Sequence, residues 1–441
     1  MNKIQLAKNS VLMTALLGLL LIGQIAFAQS GTSVPSTATQ QAIEAWLKLP
    51  AEDRPEFSSQ SFASTPINSD EASAIKELLW EDYKNRAKTK RKQEWQDKKI
   101  TIGENNMRFD YKVFGDKPET GRSLYISMHG GGGTRARVNE QQWKNQIGLY
   151  QPDEGVYLAP RAPTDAWNMW HKPHIDGFFE RIIQDAIVFE DVDPNKVYLM
   201  GYSAGGDGVY QMAARMADAF AAAAMMAGHP NGVSPLNLRN IGFTIHMGEN
   251  DGAYKRNKTA GQWKEKLAKR AESDPGGYEH EVTIHQGMGH WMQRKDAVAV
   301  PWMAKFIRDP LPKKIAWRQT GVTRNNFYWL APEEGEAKKG STITITRDSN
   351  RFEILSFENL SAIRIRMNAS MVNFSKPIEV SSGDKVKSFK AQQTAGLIYR
   401  TLEGRGDPGL IFSSEVVFHL PQKAPETESE SESDDEAKKA K

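Results

Sequence analysis

Residues 199–208 of the chain read LMGYSAGGDG, a stretch that places Ser203 between Gly201 and Gly205. The residues before it, KVYLM, predict a buried strand, and the residues after it, AGGDGVYQMAARMADAF, predict a helix. A serine on such a strand-to-helix turn is held in a strained conformation, and flanking glycines leave room for the backbone. The stretch therefore predicts a nucleophile elbow with Ser203 at its tip.

The surrounding residues, 100–310, alternate short apolar runs with helical patterns. ITIG and MRFDYKVFG predict an opening hairpin, and six further strands are predicted in SLYISMHG, GVYLAP, KVYLMG, AAAAMMAG, IGFTIHMG and EVTIHQG. Helices are predicted at Phe178–Asp191, Ala204–Phe220, Lys255–Arg270 and Ala297–Ile307. This alternation predicts an α/β domain, a mostly parallel sheet with helices on both faces.

A serine hydroxyl needs a base before it can attack, and the chain has nine histidines. His290, in GMGHWM, follows the last predicted parallel strand, and we predict that it is the base. The alternative is a structural histidine of that loop. His246 and His285 lie inside apolar strands and are predicted to be core or sheet-face residues.

The base needs an acceptor for its other ring N–H. Asp251 follows the strand IGFTIHM in the turn GEND, and the order serine, acid, histidine along the chain suits this kind of sheet. Glu249 and Asp207 are rivals, although Asp207 lies within the predicted helix after the elbow. The alternative role of Asp251 is to cap the helix that begins near Tyr254.

An oxyanion needs N–H donors that already point at it. The glycine-rich segment MHGGGGT, residues 128–134, follows a predicted strand, and we predict that Gly131 and Gly132 donate together with Ala204. A phosphate-binding turn is the competing interpretation, but no P-loop Lys-Ser/Thr pair follows the glycines.

Substrate contacts are predicted from aromatic and histidine side chains near these motifs. The loop APRAPTDAWNMWHKPHIDGFF concentrates such residues at the predicted active-site edge, where they either line a substrate wall or anchor the loop by packing. The predicted substrate-binding residues are His129, Trp167, Trp170 and Trp291.

Composition excludes several classes of site. Charged residues make up 25% and apolar residues 39% of the chain, and the formal net charge of +3 does not predict a nucleic-acid partner. The chain has no cysteine, which excludes disulfides, thiolate metal sites and a cysteine nucleophile. His171 and His174 are too few to hold a metal ion. We therefore expect no metal and no cofactor, and oligomeric state is left open.

The N-terminus predicts export. Lys3 and Lys8 precede the apolar run Val11–Ile22, and Ala26-Phe27-Ala28 supplies a cleavage site, so residues 1–28 are predicted to be a signal peptide. An uncleaved anchor helix is the alternative, although the run is short for a membrane span. We expect a periplasmic or extracellular protein without stable membrane insertion after cleavage.

Segments on either side of residues 100–310 are predicted to be accessory. Residues 29–99 are a linker and helical extension, in which Asn68 and Glu71 predict a capping box for a helix over residues 71–98. The basic second half of that helix, KNRAKTKRKQEW, is interpreted as a solvated face rather than a site for an acidic surface.

Beyond residue 310 the pattern changes to alternating strands. STITITR, FEILSF, SAIRIRM, KVKSF, GLIYRT and EVVFHL predict a small all-β module over residues 315–420, followed by a disordered charged tail, 421–441. An aromatic cluster at its start suggests either packing against the neighbouring domain or binding to a polymer surface. The cluster comprises Trp317, Phe327, Tyr328 and Trp329.

Residues 100–310 resemble the α/β-hydrolase superfamily, on the motifs HGGGG, GYSAGG, GEND and GMGHW. The chain is most similar to exported bacterial esterases of the polyhydroxybutyrate-depolymerase and phospholipase/carboxylesterase type, although its four-glycine loop departs from their HG-x-G form. The resemblance implies hydrolysis of a small or polymeric ester through a serine acyl-enzyme. Two alternatives stay open: a serine peptidase of the prolyl-oligopeptidase type, and a non-catalytic polymer-binding or polysaccharide-binding protein.

Overall fold

The structure is a computed structural model, and it describes residues 37–421. The predicted signal peptide and almost all of the predicted charged tail lie outside these residues. The helices are α1 Ala38–Leu47, α2 Ser61–Ser64, α3 Ser69–Gln96, α4 Ala136–Gln146, α5 His174–Phe189, α6 Ala204–Arg215, α7 Arg256–Ser273, α8 Ala299–Met303 and α9 Ala395–Arg405.

The strands that belong to the central sheet or precede it are β1 Pro66–Ile67, β2 Lys99–Ile102, β3 Asn105–Phe114, β4 Arg122–Met128, β5 Gly155–Arg161, β6 Val192–Tyr202, β7 Ala222–Met226, β8 Gly242–Gly248 and β9 His280–His285. The later strands are β10 Lys314–Arg318, β11 Leu330–Ala331, β12 Thr342–Asp348, β13 Arg351–Glu358, β14 Ala362–Met367, β15 Ile378–Ser382, β16 Lys385–Phe389, β17 Gln393–Thr394 and β18 Ser414–His419.

The central sheet has eight strands in the order β2-β3-β5-β4-β6-β7-β8-β9. β2 and β3 form the predicted antiparallel hairpin, and β3 pairs antiparallel with β5. The six strands from β4 to β9 run parallel to one another. Because parallel strands place their carboxyl ends at one edge, the loops after β4, β6, β8 and β9 meet there. The predicted fold class, an α/β-hydrolase sheet, is confirmed.

Both faces of this sheet are buried, as alternating side chains show. Leu124 and Ile126 of β4 belong to one hydrophobic cluster, which includes residues of α5, α6 and α7. Tyr125, between them, belongs to a second cluster on the other face, together with Ala299 and Met303 of α8. Two covered faces explain why these strands read as continuous apolar runs.

Two helical segments differ from the sequence prediction. The predicted helix Ala297–Ile307 is reduced to a 3₁₀ turn, Lys295–Val298, followed by the short α8. Pro301 has no N–H to donate to an earlier carbonyl, so one continuous helix cannot form there. The sequence analysis did not predict α4, because its apolar stripe is weak: its buried side chains are those of Asn139, Trp143 and Gln146.

The N-terminal helices pack against the C-terminal part of the chain. Asn68 and Glu71 form the predicted capping box at the start of α3. The buried face of α3, which includes Ile75 and Leu79, shares a hydrophobic cluster with Ile398 of α9. The N-terminal extension is thus a packed part of the fold.

The basic half of α3 is only partly a solvated face. Lys88 and Lys90 are exposed, but Arg86 pairs with Glu403 of α9, and Arg91 pairs with the fully buried Asp185 of α5. These arginines connect α3 to its neighbours. Across residues 37–421, no helix has both the length and the apolar character required to cross a bilayer.

The C-terminal region has the expected additional sheets, in the orders β10-β12-β13-β15-β16 and β11-β14-β18. It is not purely β, because GLIYRT, predicted as a strand, forms α9. The Thr394 side chain accepts from the Leu397 N–H at the start of this helix, and Gly406 ends it in the left-handed conformation. The apolar residues at 397, 398 and 402 thus follow a helical period rather than an alternating one.

The C-terminal region also shares its core with the central sheet. One cluster of buried side chains extends from Leu124 through Trp329 to Phe418, and the described residues from Ala38 onward form one unit. Trp317 stacks on Phe327 with ring centroids 5.3 Å apart, and all four residues of the predicted aromatic cluster are buried. The packing interpretation of that cluster is therefore correct, and surface binding by its rings is excluded.

Candidate active site

Ser203 lies on a sharp turn between β6 and α6, with φ of 58° and ψ of −120°. Positive φ is unfavourable for a residue with a Cβ, so the surrounding contacts must enforce it. A Cβ at Gly201 would lie 2.4 Å from the carbonyl oxygen of Gly205, and one at Gly205 would lie 2.1 Å from that of Met128. The two glycines therefore allow the close backbone approach that holds the turn, as the sequence predicts for a nucleophile elbow.

The three predicted triad side chains lie within hydrogen-bond distance of one another. His290 Nε2 is 2.9 Å from Ser203 Oγ, and His290 Nδ1 is 2.7 Å from Asp251 Oδ2. A carboxylate next to Nδ1 favours the tautomer with its proton on Nδ1, which leaves Nε2 free to accept from the serine hydroxyl. In this arrangement the serine can act as a nucleophile, the histidine as its base and the aspartate as the acid that orients the histidine.

Backbone hydrogen bonds join the turn that carries Asp251 to the loop that carries His290. The Glu249 N–H donates to the His285 carbonyl at 3.1 Å, and the Asn250 N–H donates to the Met288 carbonyl at 2.8 Å. The Glu249 carboxylate accepts a hydrogen bond from the Gly287 N–H at 2.8 Å. Glu249, the first alternative to Asp251 as the acid, thus has a structural role in joining the two loops. The Asp251–His290 distance is thus set by two loops that are bound to each other.

Tyr202, next to Ser203, holds the loop that carries His290 by hydrogen bonds and by ring packing. Its hydroxyl donates to the His290 carbonyl at 2.5 Å and accepts from the Met292 N–H at 3.0 Å. The ring also packs against Trp291, with centroids 5.6 Å apart. The sequence analysis did not identify Tyr202, because its position between the predicted strand and Ser203 gave no signal of this role.

The second rival acid, Asp207, is also occupied. Its carboxylate accepts from the His229 N–H at 2.6 Å and from the Asn231 side chain at 3.1 Å, and burial raises its pKa above the ordinary value. Asp251 makes no side-chain cap of α7. Its second carboxylate oxygen instead lies 3.6 Å from an Arg256 guanidinium nitrogen.

The glycine-rich loop is held by Asn139, a residue that the sequence analysis missed together with α4. Asn139 is fully buried; its side chain donates to Asp165 at 2.9 Å and accepts from the Gly132 N–H at 2.8 Å. The Gly132 N–H is therefore engaged and is not free for the predicted oxyanion role. Within residues 37–421, the N–H groups of Gly131 and Ala204 have no such partner, and these two residues remain predictions.

His129 and Trp170 do not contact substrate as predicted, because both are fully buried. His129 Nε2 accepts from the Ala162 N–H at 3.2 Å, and Nδ1 lies 2.6 Å from the Gly130 carbonyl. Trp170 Nε1 donates to the His129 carbonyl at 3.0 Å. Burial lowers the pKa of His129 to about 4, so its ring is neutral at pH 7 and supports the glycine-rich loop from inside.

A cavity of about 550 Å³ opens in front of Ser203. Trp167, 61% exposed, lines it beside Gly131 and Gly132, and its contact with substrate stays a prediction. Trp291 is half-exposed and does not line this cavity, so its substrate role stays a prediction. The sequence analysis missed five lining residues: His229, Asn231, Tyr254, Lys255 and Arg256.

The lining is cationic on the side of α7, where Lys255 and Arg256 lie. Tyr254 and Lys255 both have positive φ, 54° and 57°, which turns this segment toward the cavity mouth. Among residues 37–421, no group of three or more histidine, aspartate or glutamate side chains is arranged to hold a metal ion.

Comparison with known proteins agrees with the fold. A family model described as the dienelactone hydrolase family matches residues 150–317, which include the whole predicted triad. No curated protein matches the chain with significance.

Solved structures of low sequence identity also match. A thermostable esterase is 19% identical, with 48% of this chain and 62% of that chain covered and a TM-score of 0.39. A poly(3-hydroxybutyrate) depolymerase from Bordetella parapertussis is 17% identical, with 47% and 87% covered and a TM-score of 0.36. A Bacillus cereus carboxylesterase is 17% identical, with 45% and 94% covered and a TM-score of 0.34. This chain thus spans less than two thirds of the length of the first of these proteins.

The sheet order, the elbow and the family match together show the class of fold: residues 100–310 have the α/β-hydrolase fold. The family match further supports an ester hydrolase, as the resemblance of the motifs implies.

Proposed function

We propose that the protein is an exported serine esterase that cleaves carboxylic esters through Ser203, His290 and Asp251. The observation that carries this proposal is the continuous hydrogen-bonded series from Ser203 Oγ through His290 to Asp251, with distances of 2.9 and 2.7 Å. Ser203, at one end of this series, lines the cavity of about 550 Å³, which has room for an acyl group and an alcohol.

Acylation begins when His290 Nε2 removes the proton from Ser203 Oγ as the oxygen attacks the ester carbonyl. Asp251 is buried and faces Nδ1, so its charge stabilises the imidazolium that forms. His290 then gives the proton to the departing alkoxide, and the alcohol leaves behind an acyl group on Ser203. A water molecule repeats the sequence, with His290 as base, and releases the carboxylic acid.

The tetrahedral oxyanion of each step is assigned to the N–H groups of Gly131 and Ala204. Ala204 is the first residue of α6, where a helix leaves its N–H groups unpaired and favours negative charge. Gly131 has φ of 102°, and a Cβ there would lie 2.2 Å from Asn139 Oδ1, so only glycine fits. Asn139 and His129 position this loop from the protein side.

Export is proposed from the N-terminal sequence, in which basic, apolar and small-residue segments occur in the order of a signal peptide. Fractionation of cells that express the full chain tests it. We expect the mature protein to begin near residue 29 and to lie outside the cytoplasm; a full-length cytoplasmic product would contradict export.

The catalytic proposal is tested with Ser203→Ala and His290→Ala against p-nitrophenyl esters of increasing acyl length. Because triad members act as a unit, each variant should lose at least about a thousandfold in kcat, and the double variant should lose little more. Circular dichroism confirms that the variants are folded. Wild-type turnover by Ser203→Ala would refute the assignment.

Aminoacyl p-nitroanilides distinguish the peptidase alternative, because the same triad and fold serve both reactions. We expect ester turnover to exceed amide turnover by orders of magnitude. Faster cleavage of the amides would transfer the assignment to a peptidase.

A further inference from the structure

A second cavity, of about 860 Å³, adjoins the catalytic cavity, and Asn231 lines both. One wall of it is the C-terminal half of α7, and the opposite wall includes Arg318 and Lys339. α7 begins beside the catalytic cavity at Arg256 and reaches this second cavity at residues 266–273. With the rise of an α-helix, its first lining residue lies about 15 Å from Arg256 along α7. We call this second cavity the basic groove.

The basic groove is cationic along its whole length. Its charged lining residues are Lys266, Lys269, Arg270, Arg318 and Lys339, and no carboxylate lines it. Within the described part of the chain, none of the five forms an ion pair. The nearby Asp274 is already bound by Arg239 and Lys314. Arg270 stacks over the Tyr278 ring, with its guanidinium carbon 5.6 Å from the ring centroid. The positive charges of the other four residues are available to a ligand.

Three of the cations form a stripe on one face of α7. Lys266, Lys269 and Arg270 follow the spacing i, i+3, i+4. Arg270 borders the buried face of the helix, which carries Trp263 and Leu267. Like charges at these spacings repel one another on an isolated helix. A polyanion in the basic groove would relieve that repulsion.

The neutral lining indicates which polyanion fits. Most of its neutral side chains carry amides or hydroxyls, as in Gln211, Ser234 and Thr320, and among the described residues no aromatic side chain lines it. Single-stranded nucleic acids require aromatic platforms for their bases, and acyl chains of lipids require an apolar wall. A hydrated polymer with charged groups suits this lining better than either.

We propose that the basic groove binds the anionic backbone of an acidic polysaccharide whose ester group reaches Ser203. This proposal rests on the esterase function proposed above, since it extends that site to a polymer substrate. Polysaccharides that carry carboxylates or sulfates beside ester groups are negatively charged, so their charge is complementary to the cationic lining of the basic groove. The groove holds the chain, and the catalytic cavity receives the single ester.

A matched pair of substrates tests the proposal: O-acetylated dextran and O-acetylated carboxymethyl-dextran of equal acetyl content. The groove variant is the double substitution Lys266→Glu and Lys269→Glu. The control variant is Lys258→Glu and Lys264→Glu, which makes the same charge change at exposed positions of α7 outside both cavities. Acetate release gives kcat and KM, and p-nitrophenyl acetate reports the catalytic cavity of each protein.

Wild type and the control variant should show a KM about tenfold lower for the anionic polymer than for the neutral one, and the groove variant should lose this preference. The preference should also decrease in 0.5 M NaCl, because salt screens exposed charges. Equal KM values for the two polymers in the wild type, or an unchanged preference in the groove variant, would overturn the proposal.

Binding is measured separately in full-length Ser203→Ala, so that failure of the esterase function does not hide the result. Calorimetry with non-acetylated carboxymethyl-dextran should show binding that the groove substitutions abolish. Binding of poly(U) or of phosphatidylglycerol vesicles in place of the dextran would overturn the polysaccharide assignment. If no ester is cleaved but the dextran binds through the groove, the esterase proposal fails and the groove assignment stands.

Discussion

The buried imidazole of His129 gives the protein a defined sensitivity to acid. Its pKa is lowered to about 4 by burial, whereas the same side chain in the unfolded chain titrates near 6.5. Below pH 6.5 His129 binds a proton in the unfolded state but stays neutral in the folded state, so the free energy of unfolding decreases. The stability that His129 contributes is fully present above about pH 6.5 and is lost as the pH falls from 6.5 to 4.

The size of this effect follows from the two pKa values. The two pKa values differ by about 2.5, and each pKa unit corresponds to about 1.4 kcal/mol, so the contribution of His129 to the free energy of unfolding is about 3 kcal/mol. Most of this contribution is lost by pH 4.5. His129→Gln removes the titration while it preserves an acceptor for the Ala162 N–H. We expect this variant to be less stable than wild type at pH 7.5 and to lose less of its stability on acidification.

Urea unfolding at several pH values between 7.5 and 4.5 measures the effect as a difference between variants. The exposed His419→Gln serves as the control and should reproduce the pH dependence of the wild type. If His129→Gln and wild type lose stability in parallel over this range, the assignment of His129 as a buried neutral support is refuted.

Two further substitutions test the support of the elbow and the histidine loop. Tyr202→Phe leaves the buried Met292 N–H without an acceptor, so we expect the free energy of unfolding in urea to fall by about 1–3 kcal/mol. We also expect kcat to fall roughly tenfold with little change in KM, because the histidine loop is less well positioned. An unchanged kcat would exclude the positioning role. Gly205→Ala places a Cβ 2.1 Å from the Met128 carbonyl oxygen and should cost about 3 kcal/mol or more and most of the ester turnover. Gly261→Ala, where a Cβ meets nothing within 4 Å, is its control in thermal unfolding, and equal melting temperatures for the two variants would contradict the close approach.

The central sheet, and the placement of Ser203, Asp251 and His290 at one edge of it, could be predicted because both depend on local signals. Apolar runs ended by glycine mark the parallel strands, and the loops after β6, β8 and β9 carry Ser203, Asp251 and His290 to one edge. Strand order at that edge follows from the handedness and adjacency of βαβ units, so residues distant in sequence become neighbours there.

The contacts that support the glycine-rich loop could not be predicted in this way. Asn139 lies on α4, whose buried side chains are polar except for Trp143, and its role comes from buried contacts with Gly132 and Asp165. Histidine and tryptophan are residue types that often contact substrates, but His129 and Trp170 point into the protein because of the way their loops pack. The direction of a side chain in a loop depends on tertiary contacts, and the spacing of apolar residues in the sequence does not indicate them.

The C-terminal region shows the same limit. GLIYRT has strand-forming residues, yet its cap at Thr394 and its packing against α3 make it helical. The partner surface comes from residues more than 300 positions earlier in the chain, so tertiary packing overrides local propensity.

The most direct test of the catalytic assignment is covalent labelling by a fluorophosphonate, followed by peptide mass mapping. The account predicts a single phosphonyl adduct on Ser203 in the wild type, strongly slowed labelling in His290→Ala and none in Ser203→Ala. An active wild-type protein that remains unlabelled, or that carries the adduct on another residue, would contradict it.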